Sequence, residues 1–310
     1  MNLKQIIILS INILFLITFV TLIGCDNNST STEKTALAPV TNLKAYSVNE
    51  TSVGLTWTPS TSENISEFGE YAITIKKPNG DIFSTTSAEK GDTAFTVISL
   101  TEGVIYTFEV VTTAIDGTTN YKNSNPVSIK WSPARRLDTD SSGANIKVYE
   151  TSSSSSYGSG LILYHPTLQK PKVVSISNPG ADSSYIDLYL RTHPSTPGSV
   201  ELRSASLFKS SWRLTRFSTV SRDANSLDNA QFAPPDSSTY TLTSIQFDST
   251  TSVSTSRIYY FKGDNGNYGR ILVQRATNGT LIWGYTPDQN LNLKVSYQTV
   301  PYNPYSKRNQ

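Results

Sequence analysis

The chain has 310 residues, of which 16% are charged and 37% hydrophobic, and its formal net charge is +2. This length predicts about two domains, and the hydrophobic share suffices to build cores, which argues against a disordered chain. The small net charge and the lack of a basic stripe argue against a nucleic-acid partner. Seventeen tyrosines among many Ser, Thr and Asn residues favour β-structure with an uncharged polar surface.

The N-terminus has the order of a secretory signal. Lys4 precedes the apolar run 6–23, and Gly24 and Cys25 follow. A basic start, an apolar segment and a small residue before the cleavage point are the parts of such a signal. A transmembrane anchor is one alternative, although a run of 18 residues is at the short limit for a span. The other alternative is that Cys25 is simply a buried cysteine.

The residues "LIGC" resemble the bacterial lipoprotein signal, in which a Leu, a small or aliphatic residue and a Gly or Ala precede the cysteine. The resemblance implies cleavage before Cys25 and acylation of its thiol and new amino group. Several acyl chains hold a protein stably on a bilayer, so we expect a lipid-anchored protein of the bacterial envelope, at the outer membrane or cell surface. With Met1 removed and Cys25 capped, no free sulfur side chain remains for a thiolate enzyme or a sulfur-ligated metal.

Short segments with apolar residues at every second position begin after Pro39 and are separated by turn sequences, a pattern typical of a β-sandwich. They are 52–58, 71–77, 93–100, 105–114 and 125–131. Trp57, Tyr71 at a strand start, and Leu100 six residues before Tyr106 resemble the fibronectin type III module. That resemblance implies a tyrosine corner at Tyr106 and a structural role for Trp57 and Leu100.

A second run of strands follows a segment rich in Pro, Ser and Gly, which we interpret as a linker. The predicted strands are 159–165, 172–177, 184–191, 239–247, 256–263, 268–275 and 291–300. Between 192 and 238 the pattern is weaker and fits a strand or a short helix. We expect an all-β protein whose second domain is mainly antiparallel. The predicted division is signal peptide 1–24, tether 25–37, fibronectin type III domain 38–132, linker 133–145, C-terminal β-domain 146–302 and tail 303–310.

The hairpin "SRIYYFKGDNGNYGRILVQRA", the strand "LNLKVSYQTV" and the upstream Ile186-Asp187-Leu188 resemble the HmuY-type haemophores. That resemblance implies haem capture, with iron held by paired His or by Met side chains. The mature chain has no Met, and neither His165 nor His193 lies in the loop region before the last hairpin. Each histidine precedes a Pro at a strand end, so solvent-exposed histidines are favoured over a ligand pair. A tyrosine ligand is chemically possible.

No nucleophile elbow, zinc-protease motif, P-loop or dinucleotide fingerprint occurs in the sequence. Asp182 and Asp187 are weak candidates for the paired carboxylates of a glycoside hydrolase, although Asp187 could equally point to solvent from its strand. Asp248, Asp264 and Asp288 lie in predicted turns. Because "GDNGN" is an incomplete calcium loop, the turn interpretation is preferred and no metal site is predicted.

The sequence therefore predicts a non-enzymatic surface binding protein whose C-terminal β-domain carries the ligand site. The ligand, a protein, a glycan or haem, is unknown. A haemophore-like protein is the first alternative and a carbohydrate-active enzyme the second. Aromatic residues of the C-terminal domain are expected to be partly core, and the surplus to form a stacking platform for a flat or sugar ligand. They are Tyr259, Tyr260, Phe261, Trp283 and Tyr297.

Overall fold

A computed structural model describes residues 33–154, 156–227 and 235–304. The predicted signal peptide and Cys25 lie outside these ranges. The strands are β1 (Thr35–Ala36), β2 (Thr41–Asn49), β3 (Ser52–Thr58), β4 (Phe68–Lys76), β5 (Ile82–Ala88), β6 (Ala94–Val97), β7 (Tyr106–Ala114), β8 (Tyr121–Lys122), β9 (Val127–Trp131), β10 (Arg135–Leu137), β11 (Ile146–Tyr149), β12 (Gly160–His165), β13 (Lys170–Val174), β14 (Leu188–Thr192), β15 (Val200–Ser204), β16 (Thr215–Asp223), β17 (Tyr240–Leu242), β18 (Ser244–Phe247), β19 (Arg257–Gly263), β20 (Tyr268–Val273) and β21 (Asn290–Tyr297). Short 3-10 helices span Thr61–Asn64, Gly180–Tyr185, Ala205–Leu207 and Ser237–Thr239. None of the helices in the described ranges has the length and apolar character needed to cross a membrane.

The first sandwich consists of the sheets β2-β3-β6 and β5-β4-β7-β9, and β1 pairs with β8 beside them. Along β7, Tyr106, Phe108 and Val110 are buried while the residues between them are half-buried. This alternation follows from the two-residue period of a strand and places one face of each sheet against the other. The sequence did not predict β5, because four of its seven residues are Ser or Thr and it lacks a clear apolar alternation.

The core of the first sandwich contains the residues predicted to hold it together. The rings of Trp57 and Tyr71 meet edge to face with their centroids 5.7 Å apart, and Leu100 is buried. The Tyr106 hydroxyl accepts a hydrogen bond from the backbone N–H of Thr101 at 3.2 Å. This bond ties the start of β7 to the preceding loop, so the predicted tyrosine corner is confirmed.

The second sandwich has a five-stranded sheet, β13-β12-β14-β15-β18, and a seven-stranded sheet, β10-β21-β20-β19-β16-β17, with β11 also paired to β21. The pairings within both sheets are antiparallel. The core between the sheets is built from inward-facing residues such as Leu188, Leu202, Phe217, Phe261 and Val295. The predicted all-β fold class, with a mainly antiparallel second part, is confirmed.

Two predicted segments differ from the structure. Within the predicted linker, Arg135–Leu137 forms β10 on β21, because Leu137 contributes an apolar side chain to the second core. The predicted strand 184–191 begins only at Leu188, since the preceding residues form the 3-10 helix Gly180–Tyr185. In the unassigned stretch 192–238, the described residues form the end of β14, the strands β15 and β16, the 3-10 helix Ala205–Leu207 and the start of the 3-10 helix Ser237–Thr239.

The two sandwiches share a hydrogen-bonded junction. The Asn303 amide donates to the Gly103 carbonyl at 2.9 Å and to the Ser132 hydroxyl at 3.1 Å. The Gln298 amide donates to the Pro133 carbonyl at 3.3 Å. These bonds join the segment after β21 to the loop before β7 and to the connection between the two sandwiches, so the second sandwich is held against the first.

Arg135 adds charged contacts at the same junction. Its guanidinium lies 3.3 Å from Glu50 and 3.6 Å from Glu102 of the first sandwich, and 5.8 Å from the centre of the Tyr164 ring of the second. Burial raises the pKa of Glu102, while Arg135 and hydrogen bonds act in the opposite direction. The junction therefore places one cation between two carboxylates and an aromatic ring.

Candidate functional site

His165 is buried, so the prediction of a solvent-exposed histidine is wrong at this position. Only 8% of its surface is accessible, because the 3-10 helix Gly180–Tyr185 folds over the end of β12 and brings Asp182 and Tyr185 against the ring. Nδ1 accepts from the Leu168 N–H at 3.2 Å. Nε2 therefore carries the proton and donates to Asp182 Oδ1, also at 3.2 Å.

His193 is half-buried and lies at the other end of the same sheet. Leu161 of β12 pairs with Leu188 of β14 in antiparallel register. From that pair, His165 lies four residues toward one end and His193 five residues toward the other, about 30 Å apart at 3.3 Å per residue. Because one iron requires both its ligands within bonding distance, the two histidines do not form a ligand pair.

The two candidate carboxylates for glycoside cleavage occupy different environments. Asp182 lies 2.5 Å from the Lys172 ammonium, whose hydrogen bond lowers the pKa of the carboxyl. Asp187 is buried rather than turned to solvent, because its Oδ2 accepts from the Leu163 N–H at 2.8 Å and its Oδ1 lies 3.3 Å from Arg213. Burial raises the pKa of Asp187 to about 6, against the opposing effect of Arg213.

The turn aspartates Asp248 and Asp288 accept hydrogen bonds from within the protein, Asp248 from its own turn and Asp288 from a residue distant in sequence. Asp248 Oδ1 accepts from the backbone and the hydroxyl of Thr250, both at 2.8 Å, and Asp288 accepts from the Ser153 hydroxyl at 2.6 Å. Within residues 33–154, 156–227 and 235–304, no three His, Cys, Asp or Glu side chains are grouped so that they could hold a metal ion.

The predicted aromatic platform does not form on the described strands, because four of its five candidate residues are buried against one face of the sheet or the other. Tyr259, Phe261 and Tyr297 belong to the core between the sheets. Tyr260 points to the outer face, where a second cluster that includes Leu227 and Tyr240 buries it completely. Trp283 is half-buried, and its indole N–H donates to a backbone carbonyl.

Beside that outer cluster lies a groove with a volume of about 300 Å³, which we call the β16–β19 groove. Its floor is formed by β16 and β19, one wall by the 3-10 helix Ser237–Thr239 with β17, and the other by the turn after β19. Its lining residues are Leu214, Arg216, Ser237, Tyr240, Lys262, Gly263 and Asp264.

Two cations lie directly opposite each other in the β16–β19 groove. Arg216 pairs with Lys262 across β16 and β19, and like charges at opposed positions destabilise a sheet. Neither side chain forms an ion pair with any residue in the described part of the chain. Lys262 is oriented by the ring of Tyr268, whose centre lies 5.3 Å from the ammonium nitrogen. The groove thus presents two cations that no carboxylate in the described part of the chain contacts as an ion pair.

The walls of the groove are fixed by their own hydrogen bonds. Asp264 accepts from the Asn265 N–H at 2.9 Å and from the Leu214 N–H at 3.2 Å. The 3-10 helix on the opposite wall is tied to β16 by a 2.7 Å hydrogen bond between the hydroxyls of Thr239 and Ser218. The groove therefore combines two cations, a carboxylate and a serine hydroxyl on a preformed frame.

Sequence reasoning did not find this groove. Lys262 lies in a strand that the alternation predicted, but Arg216 lies in the stretch whose structure was left open between a strand and a helix. The paired residues Arg216 and Lys262 lie more than forty positions apart, and their pairing has no local sequence pattern. The sequence offers one indication, which is a cation within an alternation of polar and apolar residues at each of the two positions, Arg216 and Lys262.

Comparison with known proteins bears on the first sandwich. Residues 38–130 match the fibronectin type III domain family. No curated protein matches the chain. Solved structures with similarity include a redesigned β-sandwich protein, at 24% identity over 32% of this chain and 92% of that one, with a TM-score of 0.26. The fibronectin type III domain of the human collagen α-1(XX) chain is 21% identical over 34% of this chain and 92% of that chain, with a TM-score of 0.27. A myokine structure is 19% identical over 33% of this chain and 99% of that chain, with a TM-score of 0.24. The tyrosine corner, the two facing sheets and the family match together identify residues 38–130 as a fibronectin type III domain.

Proposed function

We propose that this chain is a non-enzymatic ligand-binding lipoprotein of the bacterial envelope. In this proposal Cys25 carries the lipid anchor and the fibronectin type III domain holds the second sandwich away from the membrane. The second sandwich carries the ligand site in the β16–β19 groove. The observation that carries the proposal is the pair Arg216 and Lys262, opposed across two strands without an ion-pair partner among the described residues.

The chemistry of the groove supports binding. A guanidinium keeps its proton at all physiological pH values, so Arg216 can hold a ligand but cannot exchange protons with it. The Asp264 carboxylate already accepts two backbone hydrogen bonds. The resemblance of the C-terminal region to HmuY-type proteins also supports a ligand-binding role for this domain, although the described histidines offer no paired iron ligands.

The anchor is tested by metabolic labelling with an alkyne fatty acid in a bacterial host. The wild-type chain should incorporate the label and sediment with membranes, whereas Cys25→Ala should do neither. Ser29→Ala, a nearby change in the predicted tether, serves as the control and should behave like the wild type. Labelling that persists in Cys25→Ala would refute the assignment of the lipid to this residue.

The ligand site is tested with detergent-purified full-length protein on an array of glycans, lipids and peptides. Binding should occur and should be lost in the double variant Arg216→Gln/Lys262→Gln. Arg222→Gln, an exposed cation further along β16, should retain binding. Ligands that bind the double variant and the wild type equally would place the site elsewhere.

A further inference from the structure

We propose that the β16–β19 groove binds an acidic sugar, a hydroxyl-rich ring that carries one carboxylate, sulfate or phosphate group. The inference rests on the proposed function, since it names the ligand of the same groove. Three features of the groove support it: the charges on its floor, the groups on its walls and its size.

The floor selects an anionic group. Arg216 and Lys262 repel each other across the strands, and a bound anion between them replaces that repulsion with two attractions. A guanidinium presents a planar fork that matches carboxylate, sulfate and phosphate oxygens, whereas an ammonium acts as a point charge that accepts many geometries. The Tyr268 ring beneath the Lys262 ammonium holds that charge on the floor of the groove.

The walls select neutral hydroxyl groups at the other end of the ligand. Asp264 lines the groove and repels a ligand that is anionic along its whole length, but its oxygens can accept hydrogen bonds from sugar hydroxyls. Ser237 adds a hydroxyl that both donates and accepts. A ligand with one negative end and a polyhydroxyl remainder therefore matches the positive floor and the polar walls together.

The size of the groove argues against a bare inorganic anion. Its volume of about 300 Å³ lies at the lower end of the roughly 300–1,000 Å³ typical of small-molecule sites. A single acidic monosaccharide unit, free or at the end of a glycan, fits this range. Inorganic phosphate or sulfate would contact the floor and leave the carboxylate and hydroxyl of the walls unused.

The test is calorimetric titration of the full-length protein in detergent with glucuronate, galacturonate, glucose 6-phosphate, glucose and inorganic phosphate. At least one of the three acidic sugars should bind at least tenfold more tightly than glucose and than phosphate. Its affinity should fall with added salt, because the contacts are between charges near the surface. In Arg216→Gln/Lys262→Gln its affinity should fall at least tenfold, while the control Arg222→Gln, which lies outside the groove lining, retains binding.

Thermal unfolding of each variant shows whether it is folded. If the double variant is not folded, the single variant Arg216→Gln replaces it. Asp264→Asn should lower the ratio of acidic-sugar to phosphate affinity. Glucose that binds as tightly as the acidic sugars, in a groove-dependent way, would overturn the acidic-sugar inference and leave the ligand groove standing. Phosphate binding alone, or no groove-dependent binding of any acidic sugar, would also overturn it, whatever other ligand the array reveals.

Discussion

Asp187 shows what burial does to a single carboxyl group. It lies at the edge of the second core, where it accepts from the Leu163 backbone and lies beside Arg213. Desolvation favours the neutral form more than these partners favour the charged one. The folded protein therefore binds a proton at this site more tightly than the unfolded chain does.

This shift predicts a pH dependence of stability. Because the folded pKa of Asp187 is about 6 against an ordinary 3.8, its stabilising contribution is present below the unfolded pKa and lost as pH rises through 6. Relative to Asp187→Asn, the wild type should lose at most about 3 kcal/mol of unfolding free energy between pH 4 and 7. Urea denaturation of both proteins at several pH values measures the difference.

The control for this prediction is Asp248→Asn, for which the change of stability with pH has the opposite sign. Hydrogen bonds from the Thr250 backbone and side chain lower the pKa of the half-buried Asp248, so the wild type should gain stability over Asp248→Asn as pH rises through the acid range. A constant difference between the wild type and Asp187→Asn across pH would contradict the assigned shift.

At the scale of single residues, the sequence predicted those roles that local spacing determines. The interval between Leu100 and Tyr106 indicated the tyrosine corner, and the structure contains it. The burial of His165 was not predictable, because the cover comes from a 3-10 helix whose position depends on tertiary contacts. The aromatic residues of β19 alternate as expected, but nothing in the sequence showed that both faces of the strand are covered.

At the scale of elements, β20 depends on a glycine. A Cβ added at Gly269 would lie 2.2 Å from the Phe261 ring and 2.5 Å from the Ser296 carbonyl oxygen. The ring of Phe261 lies over the glycine on the neighbouring strand, and the backbone of β21 closes the other side. This position therefore has no room for a side chain.

Gly269→Ala should destabilise the second sandwich by about 1–3 kcal/mol, because overpacking forces side chains and backbone to shift. Gly263→Ala is the matched control, since its nearest neighbour would lie at an ordinary 3.5 Å. Chemical denaturation measures both changes. Equal stability of the two variants would contradict the tight packing at position 269.

The strand predictions succeeded where alternation is local and failed where pairing is distant. The predicted strand 52–58 coincides with β3, and the predicted hairpin contains β19 and β20. β10 lies within the predicted linker, because this strand is short and follows Pro and Ser. The β16–β19 groove could not be predicted because it requires a pairing between strands far apart in sequence.

At the scale of the whole molecule, the junction couples the two sandwiches. Asn303 spans it with hydrogen bonds to the Gly103 carbonyl and the Ser132 hydroxyl. Such bonds contribute about 0.5–1.5 kcal/mol each. Together with the ion pairs of Arg135 they favour one relative orientation of the sandwiches.

Asn303→Ala should loosen that orientation while leaving each sandwich folded. Small-angle scattering of the purified protein should show a broader distribution of interatomic distances than the wild type. Asn265→Ala, an exposed position in the turn after β19, should leave the scattering unchanged. Superimposable curves for the wild type and Asn303→Ala would show that this residue does not hold the junction.

The position of β21 determines the order in which the second sandwich can form during synthesis. This last strand pairs with β10, β11 and β20, and so contacts the first and the later parts of the domain. Until residues 290–297 have emerged, the seven-stranded sheet lacks the strand that joins its two ends. The fibronectin type III domain can fold as it emerges, whereas the seven-stranded sheet of the second sandwich cannot be completed until β21 has emerged.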